Sequence, residues 1–133
     1  MTTTRRWAAF ALTIPIVELA LTTAYIHVTL GGLLFTANAI GYAVLAGLYA
    51  LGTLVDGSPL GRFSWIPRVA LLGFTLTTIA GYLAMGPYFT LGWATKGVEV
   101  ALVTLVAADI ARRYGSLAAL RDAVLGRGAT GAA

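Results

Sequence analysis

Both glutamates of this sequence stand inside long apolar runs, Glu18 within residues 7–30 and Glu99 within residues 91–111. A carboxylate near the middle of a bilayer is costly unless it is neutralised, paired or hydrated. The chemistry such groups offer is the binding of a proton, a cation or a cationic solute. Lys96, the only lysine, precedes Glu99 by three residues, so the two can pair along one helix face, and Lys96 would set the protonation of Glu99. Glu18, Thr22, Tyr25 and Thr29 recur at helical spacing and form a polar stripe of the kind a hydrated path or a binding groove requires. One turn before Glu18, Pro15 leaves the Ala11 carbonyl without its donor and predicts a kink.

The single histidine, His27, follows Glu18 by nine residues, which is half a turn of helix at about 100° per residue. Direct pairing of Glu18 with His27 within one helix is therefore excluded. His27 reads either as an interfacial or helix-bridging group or as a proton relay or ligand. In the second run Phe35, Tyr42 and Tyr49 recur every seven residues with Asn38 close to their face. Asn38 and Tyr42 either tie helices together through hydrogen bonds or line a polar cavity. If the first and fourth runs are neighbours, Lys96 can bridge Glu99 to the Glu18 stripe. Asp109, just before Arg112 and Arg113, is explained by a boundary ion pair. The candidate ion- or solute-binding residues are thus Glu18, Glu99, Lys96, Tyr25, Thr22, Asn38 and Tyr42, with His27 as relay or ligand.

These residues need a scaffold that holds charge in an apolar setting, and the composition supplies one. Of 133 residues, 59% are hydrophobic and 11% charged, with a mean hydropathy of +0.85. A water-soluble domain carries about 25% charged residues, so this chain reads as an integral membrane protein. The fold expected is all-α and polytopic: four antiparallel transmembrane helices over about 7–30, 33–54, 66–86 and 91–111, in one domain of residues 1–114. Gly31-Gly32 makes a tight hairpin, Pro87 starts the fourth helix, and Pro67 sits in the first turn of the third. Residues 115–133 form either a short amphipathic interfacial helix capped by Ser116 or a frayed tail, flexible toward its glycine-rich end. The first run is too long for a signal-peptide core and lacks a small-residue cleavage site, so it reads as an uncleaved span.

Small residues recur at four-residue steps in three runs: Ala39, Ala43 and Gly47; Gly73, Thr77 and Gly81; Gly97 and Ala101. Such ridges let helices approach closely in lipid, and packing within one bundle is the expected use, with an oligomer interface as the alternative. Eight arginines fall on one side of a four-pass chain, which sets both termini in the cytoplasm and the protein in the cell inner membrane. The same topology accounts for the net charge of +4 without nucleic acid.

With no cysteine and one histidine, thiol chemistry, disulfides, bis-histidine haem ligation and multi-histidine metal sites are excluded. No phosphate-binding loop, nucleophile elbow or zinc-protease motif is present, so no catalytic or metal-binding residue is assigned and the chain does not read as an enzyme. A cofactor-binding or redox membrane subunit ranks lowest, and no cofactor is identified. The expected function is a small membrane transport or channel protein using intramembrane carboxylates. Its partners are the lipid bilayer and either further copies in a homo-oligomer or a larger membrane complex. The alternative is a non-catalytic accessory subunit in which the charges are internal glue.

Overall fold

The structure, a computed structural model, describes residues 3–55 and 58–127, without the side chains of residues 3–6 and 8. It contains α1 (Thr3–Leu30), α2 (Leu33–Leu54), a 3-10 turn (Pro59–Phe63), α3 (Trp65–Met85), α4 (Thr90–Tyr114) and α5 (Leu117–Val124), and no strand among the described residues. Asp56 and the flexible tail expected beyond residue 127 lie outside them. The segments Ala9–Leu30, Leu33–Leu54 and Pro59–Met85 are long and apolar enough to cross a membrane. α4 is as long as these, but it carries Lys96, Glu99, Asp109, Arg112 and Arg113, which lower its hydropathy.

Polar and apolar residues are distributed inside out relative to a soluble bundle. Leu21, Leu33, Leu34, Ile40, Val44, Leu51, Leu83 and Val100 are exposed, whereas Arg68, Glu99, Asp109, Lys96, His27 and five threonines are buried. Exposed apolar surface wrapped around buried polar groups that pair mostly with one another is the arrangement lipid favours. Each helix is an efficient former over its apolar length, and its packed stripe follows a three-to-four-residue spacing. On α1 that stripe is Ala9, Thr13, Ile16, Ala20, Thr23, Ala24 and His27, and on α2 it is Ala39, Tyr42, Ala46, Tyr49 and Thr53. Alanine on both sides lets α1 and α2 approach closely, and theirs is the most extensive helix contact. α1 also packs on α4, α4 on α3 and α3 on α2, which closes a four-helix ring.

The connections follow from backbone chemistry. Gly31 and Gly32 both adopt positive φ, 70° and 86°, a conformation that costs a residue with a Cβ and lets two residues join α1 to α2. Gly86, before Pro87, is extended because proline disfavours the helical region for its predecessor. Helix α4 accordingly starts at Thr90, with Phe89 at its N-cap position, three residues beyond Pro87 and one before the expected 91. Pro67 does occupy the first turn of α3. Ser116 accepts a hydrogen bond from the Ala119 N–H and caps α5, whose eight residues form a helix with no buried member.

The small-residue ridges are not used as expected. Ala39 is buried, but Ala43, Gly47, Gly73, Thr77, Gly97 and Ala101 are exposed, and nothing lies within 4 Å of a Cβ built on Gly47, Gly73 or Gly97. Within this chain the close contacts are made instead by the alanine faces of α1 and α2 and by the polar stripe of α4.

Candidate functional site

Two polar clusters occupy the interior, one toward each end of the bundle. Near the Gly31-Gly32 end, α4 presents Gly92, Thr95, Lys96 and Glu99 inward on successive turns. Lys96 Nζ donates to Glu99 Oε2 along the helix, and Lys96 also lies over the Tyr82 ring of α3, 5.3 Å from its centroid. Across the interface α1 supplies His27, 3% exposed, whose Nε2 is 3.9 Å from Glu99 Oε1. Its Nδ1–H donates to the Thr23 carbonyl at 2.8 Å, since a carbonyl can only accept. The Tyr42 ring of α2 packs beside His27 at 5.7 Å, and its hydroxyl is hydrogen-bonded to Thr78 at 2.7 Å and within electrostatic reach of Glu99.

This geometry leaves one proton undetermined. With Nδ1 protonated, a neutral His27 turns the lone pair of Nε2 toward Glu99 Oε1, and both atoms are acceptors. Glu99 Oε1 is buried without a hydrogen-bond partner, as is Thr23 Oγ1. A buried acceptor left unmade costs about 1–3 kcal/mol, more when charged. A single proton on either His27 or Glu99 turns two facing acceptors into a donor and an acceptor. Chemically the pair has room for one added proton, and Lys96 donates to the other carboxylate oxygen.

A cavity of about 290 Å³ lies directly above the cluster. Its inner wall is His27, Gly92, Thr95 and Lys96, all buried. Its rim includes Leu34 on α2, Thr77 and Met85 on α3, and Pro87 in the loop, all exposed. The cavity thus opens between α2 and α3. Asn38 also lines it and makes no side-chain hydrogen bond to the described residues.

The second cluster is fully satisfied. Asp109 accepts from Tyr49 at 2.7 Å, from Arg68 Nε at 2.8 Å and from Arg112 at 2.6 Å. Arg68, 0% exposed, also donates to the Ser64 carbonyl and to Thr53, which is bonded in turn to Thr13 of α1. All four long helices are tied at this end by one network, and the Tyr49 ring lies under the Arg68 guanidinium at 5.0 Å.

Sequence reasoning named most of the first cluster but joined it differently. α1 and α4 are neighbours, and Lys96 pairs with Glu99, but the group that meets Glu99 across the interface is His27 and not the Glu18 stripe. Glu18, Thr22 and Tyr25 lie on the outward face of α1, with Tyr25 71% exposed, and contribute nothing to the buried site. The half-turn separation of Glu18 and His27 makes this unavoidable: one of the two must face out. Asn38 and Tyr42 are both brought to the site, Asn38 as part of the cavity wall and Tyr42 beside His27 and Thr78. Arg68, one of the eight arginines that mark the basic side, is the most deeply engaged residue of the second cluster. The signal available was its place one turn inside α3, on the same face as Leu71 and Thr75. Asp109 does pair with Arg112, but its principal partners are Arg68 and Tyr49 on other helices.

Among the described residues, no three His, Asp or Glu side chains gather to hold a metal ion. Comparison with known protein families, with curated proteins and with solved structures finds no match for this chain.

Proposed function

We propose that this is a small membrane transport protein that takes up and releases a proton at the His27–Glu99–Lys96 cluster. The observation that carries the reading is the pair of facing acceptors, His27 Nε2 and Glu99 Oε1, 3.9 Å apart and buried beneath an open cavity. Protons reach a transporter's interior through ionisable groups of this kind, which are expensive to bury and serve little purpose as packing. Lys96 donates to the other Glu99 oxygen and gives the carboxylate a counter-ion on its own helix. A cationic solute is the poorer fit, because Lys96 and not Glu99 lines the cavity.

In this reading α4 is the fourth span and the helices run antiparallel. That order is supported by Thr13 meeting Thr53, His27 meeting Phe35, Thr53 meeting Arg68, Tyr42 meeting Thr78, and Tyr82 meeting Trp93. The basic end lies in the cytoplasm and the cavity opens toward the opposite half of the inner membrane. Glu18 favours association with a further protein chain. It is exposed in the middle of an apolar helix without a partner among the described residues, a position costly against lipid alone. A homo-oligomer covers it most simply; an accessory role in a larger complex is the second reading.

The test is proton movement in proteoliposomes with an entrapped pH-sensitive dye. Wild-type protein is expected to dissipate an imposed pH gradient faster than empty vesicles. His27→Gln and Glu99→Gln, confirmed as folded by circular dichroism and size exclusion, are expected to return the rate to the empty-vesicle level. Wild-type vesicles no leakier than empty ones, or variants as fast as wild type, would overturn the proposal.

A further inference from the structure

We infer that the cavity takes an amphiphilic monoanion, a carboxylate on an apolar chain, which reaches it from the lipid between α2 and α3 and arrives together with its proton. The inference rests on the proton-binding reading of the cluster and names the substrate class for it.

Shape and chemistry of the cavity exclude most small solutes. Its walls are mainly apolar, with Leu30, Leu34, Phe35, Met85 and Phe89 around the outer part. The exposed rim joins Leu34, Thr77 and Met85, on helices whose outer surfaces are apolar, to Pro87 in the connecting loop, so the opening lies beside the apolar outer face near the loop end of the bundle. An amphiphile can reach it with its chain along that apolar face. At its inner end the same cavity meets Lys96 and His27, with the Asn38 amide, which has no hydrogen-bond partner among the described residues, alongside. The polar groups are few, convergent and confined to one end, the distribution expected of a site for a ligand with one polar head.

Charge decides what that head is. Lys96 and Glu99 neutralise each other, so the empty site with neutral His27 carries no net charge. A cationic head meets Lys96 first. An anionic head pairs with Lys96 but releases Glu99 from its counter-ion, leaving an uncompensated buried carboxylate. One proton on the His27–Glu99 pair removes that penalty, and a protonated acid brings the proton with it. The carboxylic acid gives up its proton to His27 Nε2 or Glu99 Oε1, the resulting carboxylate accepts from Lys96 Nζ, and the net charge of protein plus ligand is unchanged. The titratable groups facing this event are His27 on α1, Tyr42 on α2, Tyr82 on α3, and Lys96 and Glu99 on α4. In the Arg68–Asp109 cluster, by contrast, no buried side-chain nitrogen or oxygen among the described residues is left without a partner.

The experiment uses the full chain in lipid nanodiscs and decanoic acid bearing a terminal diazirine. After irradiation, labelling is mapped by mass spectrometry and competed with decanoic acid, its methyl ester and decylamine. Labels are expected on the peptides spanning residues 30–38 and 77–96, and the free acid is expected to compete at least tenfold better than ester or amine. Lys96→Gln is expected to abolish the preference for acid over ester. Gly81→Leu, which puts a side chain where nothing lies within 4 Å of the Cβ at the cavity wall, is expected to block labelling without altering any charge. Labelling spread evenly over the outer helix faces, or equal competition by acid and ester, overturns the inference, as does stronger competition by the amine. Saturable, acid-selective labelling in a protein that moves no protons in vesicles would sink the transport reading and leave the ligand class standing.

Discussion

Replacing Asp109 by leucine leaves the Arg68 guanidinium buried, with the Ser64 carbonyl and the Thr53 hydroxyl as its remaining hydrogen-bond partners among the described residues. The carboxylate accepts three short hydrogen bonds, each to a charged group or from one, and such bonds contribute about 1.5–3 kcal/mol apiece. Arg112 deserves a discount, because its side chain is 32% exposed and regains water when Asp109 is lost. The dominant cost is the stranded Arg68 charge, and breaking a buried pair from one side costs about 3–5 kcal/mol. Arg68→Met is expected to cost less, about 1.5–3 kcal/mol, since Asp109 keeps Tyr49 and Arg112. The double variant Arg68→Met/Asp109→Leu removes both charges and is expected to be more stable than Asp109→Leu alone. Equilibrium unfolding in mixed micelles with rising denaturing detergent, followed by the fluorescence of Trp65 and Trp93, gives all three free energies and their coupling. Strictly additive losses, with the double variant the weakest, would refute the claim that the cost lies in an uncompensated charge.

Two further outcomes follow from the geometry. Because His27 is the only histidine, ¹⁵N-histidine labelling gives one ring to observe, and its neutral form is expected to carry the proton on Nδ1, held by the Thr23 carbonyl; a neutral form protonated on Nε2 would remove the facing acceptors on which the proton site depends. Glu18→Leu is expected to convert an oligomer into a monomer in sedimentation velocity, whereas a wild type that is already monomeric, or a variant that stays associated, would take Glu18 out of any interface.

Much of the scaffold was legible because it rests on local chemistry. Long apolar runs, the Gly31-Gly32 turn and the Ser116 cap depend on neighbouring residues, and the first three helix positions follow from them. The Lys96–Glu99 pair was legible for the same reason, being three residues apart on one helix. What sequence could not supply was rotation, the choice of which face turns inward. Glu18 and His27 oppose each other on α1, and spacing says only that they cannot share a face. The structure turns His27 in because the alanine stripe of α1, which packs on α2, lies on its side. Arg68 was missed on similar grounds: an arginine near a helix end is normally solvated, and only the distant Asp109 and Tyr49 make its burial affordable. The glycine ridges misled in the opposite sense, since small residues permit close approach without requiring it.

The two-residue turn between α1 and α2 also constrains how the protein is made. Gly31 and Gly32 leave no length for a longer loop, so α1 and α2 can pair as a hairpin as soon as both are made, Ala20 and Ala24 on one side and Ala39 and Ala46 on the other. His27 is then in place before Lys96 and Glu99 are synthesised. The last long helix, more polar than the other three, then meets a surface on which its histidine partner is already set.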